Sequence, residues 1–294
     1  MEITLGNLEK VFTGLKAIFL DAVRTSEAPE IARLMAIVPS ETSAEEYPSA
    51  ALLGDLEEVL DEVTMTNIGK WIQRVENKPY ARIVQIKRDH IADDNIGVYQ
   101  VPVRALARRA ALYPLRLAAE RLQSGFTDVW IDNATVFSAV HTWVNGGAWS
   151  NLGGPSALDA LHFAQAYTAM EQATGPDNAP LDIMPDLLIC GPANRAAAEA
   201  ILLTKTILGT DNPNYNRVDL MILRRFGTST AWMLACTRPI QPMVLQDREG
   251  PEFIEDEDPK AHVAFYQEKY AYKGRRRCAV AILAPWLIRA NRGV

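Results

Sequence analysis

Residues 68–99, IGKWIQRVENKPYARIVQIKRDHIADDNIGVY, read as a two-stranded ribbon with no core of its own. Trp71, Gln73 and Val75 alternate with Ile72, Arg74 and Glu76, the period of a strand with two different faces. Asn77-Lys78-Pro79 supplies turn chemistry, and Tyr80 to Lys87 runs back rich in Ile and Val. An arm of ten extended residues reaches roughly 30 Å. An isolated hairpin is marginal in water, and its outer strands are open to further pairing. Such a ribbon is expected to find its partner on another copy of the chain, which points to assembly before catalysis. Trp71, Ile72, Val75, Pro79, Tyr80 and Ile83 are the side chains expected between subunits.

The chain as a whole is globular in composition. It has 294 residues, 48% hydrophobic and 22% charged, near the ceiling for one hydrophobic core. A net charge of -6 and a pI near 5.4 argue against a dedicated nucleic-acid binder, which carries a basic face. Cys190, Cys236 and Cys278 are far apart and odd in number, so a reducing compartment is expected rather than a disulfide framework. Glu2, Glu9 and Lys10 interrupt any leader-like apolar stretch, and the run from Cys278 to Ile288 is too short for a bilayer. A soluble protein made in the cytosol is the expectation.

Periodicity places the main elements. Leu5, Leu8, Phe12, Leu15, Phe19 and Ala22 recur at helical spacing and predict an amphipathic helix over Leu5 to Val23. Ser26 to Tyr47 reads as a helical turn and an extended arm, and the acidic stretch from Gly54 to Val63 as a short helix. A second helical stretch covers Val101 to Leu122, with Arg104, Arg108, Arg109, Arg116 and Arg121 opposite its apolar side. Pro114 either kinks it or starts another helix. Val129 to Phe137 reads as strand, Asn145 to Pro155 as a glycine-rich loop and Leu158 to Ala173 as helix. Then come a strand from Asp186 to Cys190, a turn at Gly191-Pro192 and a helix from Arg195 to Leu203. Strands over Val218 to Leu223, Ala231 to Cys236, Val263 to Tyr272 and Cys278 to Ile288 follow, with an acidic loop from Glu252 to Asp258. Without repeats or regular β-α-β alternation, the class is α+β.

Chemistry-bearing motifs are missing. His90, His141, His162 and His262 belong to no H-E-x-x-H, and no G-x-S-x-G elbow, phosphate-binding loop or dinucleotide fingerprint occurs. Asp89, His90, Asp93 and Asp94 lack the spacing of a calcium loop and read as a carboxylate-rich lead into a turn. Arg275-Arg276-Arg277 reads as a solvated turn or a partner for acidic surface such as Glu255 to Asp258. No catalytic, cofactor-binding or metal-binding set is identified. A soluble enzyme would have to use scattered residues such as His162, Asp186 and Cys190.

Several segments occur in one family's order along nearly the whole chain: LEKVFTGLKAIF (8–19), VPSETSAEEY (38–47), LGDL (53–56), ENKPYARIVQIKRDHIADDNIGVY (76–99), ALYP (111–114), SGFTD (124–128), MPDLLICGPAN (184–194), TAWMLA (230–235) and RPIQPMVLQDREGPEFI (238–254). The combination resembles the Mu-like prophage major head subunit (gpT-type) family, whose fold is shared by major capsid proteins of tailed phages. The sequence departs from that pattern around Phe137 to His141 and after Lys273.

The resemblance implies an N-terminal arm (1–45), an extended β-hairpin loop region (46–98), a peripheral domain with a spine helix (99–152), an axial domain (153–245) and a C-terminal return to the peripheral domain (246–294). It implies a non-enzymatic major capsid protein that forms hexamers and pentamers of itself in an icosahedral shell. Packaged double-stranded DNA would be enclosed without sequence-specific binding, with no cofactor and no membrane. A scaffold or protease, a portal and a decoration protein are the implied partners, with assembly in the host bacterial cytoplasm and residence in the virion. The same fold would also suit an encapsulin-like shell that stores protein cargo, and a tail or decoration protein is a weaker reading.

Overall fold

A computed structural model describes residues 5–26, 28–48, 71–93, 96–143, 147–207, 209–255 and 268–294. The first half contains α1 (Leu5–Arg24), α2 (Pro29–Leu34), β1 (Met35–Pro39), β2 (Ala44–Pro48), β3 (Ile72–Glu76), β4 (Lys78–Lys87), α3 (Arg88–Ala92), α4 (Gln100–Ala111), α5 (Tyr113–Ser124), β5 (His141–Thr142) and β6 (Ala148–Trp149). The second half contains α6 (Ala160–Glu171), β7 (Leu187–Cys190), α7 (Arg195–Leu202), β8 (Thr206–Ile207), β9 (Thr210–Asp211), β10 (Asp219–Ile222), β11 (Trp232–Ala235), β12 (Met243–Glu255), β13 (Lys269–Ile282) and β14 (Ile288–Asn291). The helix expected over Gly54 to Val63 lies outside the described residues, as do Asp94, Gly146 and His262.

Two four-stranded sheets organise the molecule. One runs β1-β12-β13-β4, with β1 parallel to β12 and the other pairs antiparallel. The other runs β10-β7-β11-β14, with only the β10/β7 pair parallel. Along β13 side chains alternate. Tyr270, Tyr272, Gly274, Arg276, Cys278, Val280 and Ile282 are all buried, whereas Lys269 to Arg277 at the odd positions are half-buried. Its buried row meets the helices in two blocks. Tyr270 and Tyr272 join α1 and α4, and Cys278, Val280 and Ile282 join α5 and the second sheet.

The N-terminal helix is α1, as its spacing predicts. Leu8, Val11, Leu15, Phe19 and Ala22 are its buried stripe. That stripe meets Phe253 and Tyr272, which stack with Phe12 at centroid distances of 5.8 and 6.4 Å. The Val101 to Leu122 stretch is two helices, with Pro114 in the first turn of α5. A proline nitrogen cannot donate to the carbonyl four residues back, and the Ala110 carbonyl instead accepts from Arg276 Nη1 at 3.4 Å.

Five expectations are corrected. β3 and β4 do not pair with each other: β3 pairs with β2 and β4 with β13. Asn77 is a single step between two extended strands and no hairpin turn, because β3 is paired along its whole length by β2 and β4 by β13. Val129 to Phe137 forms no strand; one bridge, Val129 to Thr135, closes a turn in which Asn133 has φ 67° and Asp132 Oδ1 accepts from the Ala134 N–H. Arg275-Arg276-Arg277 is no turn either, but the middle of β13. Glu252 to Glu255 belongs to β12, so that part of the expected acidic loop is strand; 256–258 lie outside the described residues. The strand expected from Cys278 to Ile288 ends at Ile282. A turn containing Pro285 then sends β14 to the second sheet.

Gly274 sits where α4 crosses β13, and a Cβ there would lie 2.8 Å from Leu106 Cγ. Gly274→Ala is expected to lower the unfolding free energy by about 1–3 kcal/mol, measured by urea denaturation. Burial also pushes three weak acids up: Cys278 to about 11, and Cys190 and Tyr272 to about 12, from ordinary values of 9.0 for the thiols and 10.0 for the phenol. A raised acid favours the folded chain only while neutral. That contribution is complete below pH 9.0 for the thiols and 10.0 for the phenol, and is lost as pH climbs through 11 and 12. Thermal melts should therefore show a steep alkaline decline in that window, which C190A and C278A would shrink.

Candidate assembly interface

The extended ribbon of this chain is β2 with β3, in register from Ala44 opposite Glu76 to Pro48 opposite Ile72. Its base is tied by Asn77, which is buried. Asn77 Nδ2 donates to Ser40 Oγ at 2.8 Å and to the Thr42 carbonyl at 3.0 Å, and its backbone N–H donates to the Ser43 carbonyl at 2.9 Å. The Ser40 and Thr42 hydroxyls donate to Glu45 Oε1 at 2.8 and 2.9 Å, which holds that carboxyl below its usual range. One face of the ribbon rests on the body through Tyr47 and Val75, which join Val244, Ala279 and Ala281. Tyr47 Oη donates to Gln246 Oε1 at 3.2 Å, and Gln246 Nε2 donates to the Val75 carbonyl at 3.3 Å. Burial of the Tyr47 phenol, with Glu45 close by, raises its pKa.

The six side chains expected between subunits fall into three groups. Val75 is 6% exposed and fills the core of its own chain. Trp71 and Tyr80 are half-buried, Trp71 edge-on to Trp130 at 5.6 Å and Tyr80 against Tyr113 at 4.4 Å. Burial raises the pKa of both the Tyr80 and Tyr113 phenols. Ile72 is 48% exposed and Ile83 55% exposed, and Pro79 is open to solvent. The outward-facing apolar surface offered by this set is therefore that of Ile72, Pro79 and Ile83.

The other singled-out residues have local partners. Arg275 Nη2 lies 2.8 Å from Glu249 Oε2, Arg277 Nη1 3.7 Å from Glu249 Oε1, and Arg276 Nη2 2.9 Å from Asp247 Oδ2. The arginine run does meet acids, but those of the adjacent strand. Asp89, His90 and Asp93 lie on or just after α3, where His90 Nδ1 is 2.9 Å from Tyr99 Oη. Among the described residues, no His, Cys, Asp or Glu group is placed to hold a metal ion. His162 is bonded to its own helix cap, Asp159, at 2.8 Å, and the Cys190 thiol is buried. Asp186 accepts from the Thr237 N–H at 2.7 Å and from Arg33 Nη2 at 3.1 Å, tying α2 to the second sheet.

One constellation went unread in the sequence. His141 Nδ1 lies 2.6 Å from Asp132 Oδ2, and Nε2 lies 3.2 Å from Asn151 Oδ1. The Asn151 amide is oriented by donating to the carbonyls of Val136 at 2.8 Å and Pro285 at 3.0 Å. His141 stacks on Trp149 at 4.0 Å within a nest that also holds Trp130, Trp143 and Trp286. The buried aromatic wall and the Asp132–His141–Asn151 chain of hydrogen bonds make this a structural core, although the Trp130, Trp143 and Trp149 indole N–H groups in it have no hydrogen-bond partner among the described residues. The available signal was the recurrence of tryptophan at 130, 143 and 149 around a lone histidine.

The model of the family described as Mu-like prophage major head subunit gpT matches residues 8–156, 149–226 and 223–288. The chain belongs to that family. The Mu-like prophage FluMu major head subunit of Haemophilus influenzae is 28% identical over 135 residues, covering 46% of this chain and 43% of that protein. The major capsid protein of Escherichia phage Mu is 28% identical over 109 residues, covering 37% and 36%. The chain thus spans less than half the length of the curated relatives it matches. Among solved structures, the procapsid of bacteriophage JBD30 is similar with a TM-score of 0.60 and 19% identity, over 99% of this chain and 76% of that one. The fold is that of tailed-phage major capsid proteins, in the α+β class. Among the described residues, no helix is long and apolar enough to cross a membrane.

If Asp186 is a structural tie, Asp186→Ala should lower the unfolding free energy by about 2–3 kcal/mol. Urea denaturation measures it, and a loss below about 0.5 kcal/mol would remove the assigned role.

Proposed function

We propose that this chain is a major head subunit whose copies close into an icosahedral shell around double-stranded phage DNA. Family membership across residues 8–288 carries this reading. The family and the fold are those of structural capsid proteins, so function resides in contacts between copies rather than in a cleft. Obligate contacts of this kind bury about 2,000 Å² or more per pair, and an arm built from β2 and β3 lets one chain touch several neighbours.

In this reading residues 1–45 form an N-terminal arm and 46–98 the extended loop region. Residues 99–152 contribute the peripheral domain, with α4 and α5 as its spine, 153–245 the axial domain, and 246–294 the return. Hexamers and pentamers of the chain tile the shell, with a scaffold or protease, a portal and a decoration protein as partners. Assembly takes place in the bacterial cytoplasm and the product is the virion capsid. A chain of net charge -6 suits a container, because each phosphate neutralised would add salt-dependent grip on the genome.

Negative-stain microscopy of the overexpressed chain should show closed shells containing nucleic acid. Protein cargo in their place would favour a storage compartment, and a monomeric mass by light scattering would favour neither. Ile72→Asp together with Ile83→Asp changes two exposed positions, so thermal stability should hold while shells are lost to free subunits or capsomers. Normal shells from that variant would remove the ribbon and β4 from the interface.

A further inference from the structure

A strongly basic surface of this acidic chain is a groove of about 1580 Å³ bounded by α4, α5, β4 and the loop after β10. Nine arginines line it and Glu30 is its one carboxylate. Four of the nine are neutralised within the chain: Arg116 by Glu120, Arg195 by Glu199, Arg275 by Glu249 and Arg276 by Asp247. The other five, Arg82, Arg108, Arg109, Arg224 and Arg225, are exposed and form no ion pair with any described residue. Between the guanidinium groups the floor is apolar, with Leu106, Leu112, Leu115 and Ile222. Five uncompensated like charges around one groove repel each other, and an anionic occupant relieves that repulsion.

The apolar floor discriminates between anions. Nucleic-acid interfaces are polar and match phosphates, leaving such a floor unfilled. An acidic amphipathic peptide matches both the floor and the arginines. The sequence holds one: in LGDLEEVLDEV (53–63), Leu53, Leu56, Leu60 and Val63 recur at helical spacing. Asp55, Glu57, Glu58, Asp61 and Glu62 occupy intervening positions, with no Lys or Arg anywhere from residue 49 to 69. The segment belongs to the chain between β2 and β3, whereas the groove borders Pro79 and Tyr80, past the opposite end of β3.

We propose that the arginine groove receives the acidic segment 53–63 of a neighbouring copy. The choice of a second copy rests on the assembly reading above; the match in charge and apolarity does not. Net negative charge and a basic groove are then two halves of one contact.

The probe is a fluorescein-labelled peptide of residues 49–67, titrated into the full chain carrying E57K, E58K and D61K, whose own segment no longer competes. The peptide should bind by fluorescence anisotropy. Affinity should fall at least about tenfold when R108E and R109E are added. Equal binding to both chains, or to neither, overturns the proposal, as does duplex DNA occupying the same arginines in place of the peptide. A 1:1 mixture of the E57K/E58K/D61K chain with the R108E/R109E chain should form particles that neither forms alone. Recovery only when all five changes share one chain would make the occupant the chain's own segment and overturn the neighbour. These titrations do not need shells, so a wild type that forms none overturns the assembly reading separately.

Discussion

Strand β13 has to bury one row of side chains along fourteen residues while carrying three consecutive arginines. That constraint organises the subunit. Its buried row gives α1, α4 and α5 a common surface, and its other row supplies the apolar seat of the ribbon at Ala279 and Ala281. Arg276 would be an uncompensated charge in the buried row, which is costly unless paired. Asp247 pairs it across the strand, and the Ala110 carbonyl freed by Pro114 takes a second N–H. The break between α4 and α5 and the arginine run are thus coupled.

The ribbon is coupled to the same strand. Val75 and Tyr47 sit on Ala279, Ala281 and Val244, so the direction in which the ribbon leaves the body follows from the face of β12 and β13 opposite the helices. Asn77 then does work a turn residue cannot. It bonds the corner between β1 and β2 while allowing β3 and β4 to continue to separate partners. A chain with this design is anchored by its long strands and leaves the apolar side chains of Ile72 and Ile83 facing solvent.

Electrostatics divide by location. Around β12 and β13 opposite charges sit on adjacent strands at 2.8 to 3.7 Å and are consumed locally. In the groove beside α4 and α5, Arg82, Arg108, Arg109, Arg224 and Arg225 converge without an ion pair to any described residue. A net charge, being a sum over the chain, conceals both arrangements.

Local order was legible in the sequence. The stripe of α1, the helices α6 and α7 and the short apolar strands β7, β10 and β11 follow from periodicity and need no distant partner to be named. Ordered segments from Leu8 to Ile254 also carried the family resemblance. Pairing was a matter for tertiary structure. A period of two tells which residues share a face, but not which strand lies alongside, and Ile72–Glu76 pairs with Ala44–Pro48 while Lys78–Lys87 pairs with a strand almost two hundred residues later. The same holds for Arg276, where only the opposing Asp247 makes strand cheaper than turn, and for His141, whose partners Asp132 and Asn151 come from opposite sides of a fold in the chain. Residue type and spacing dictate local conformation and facing; the identity of each partner depends on which distant surfaces must leave water together.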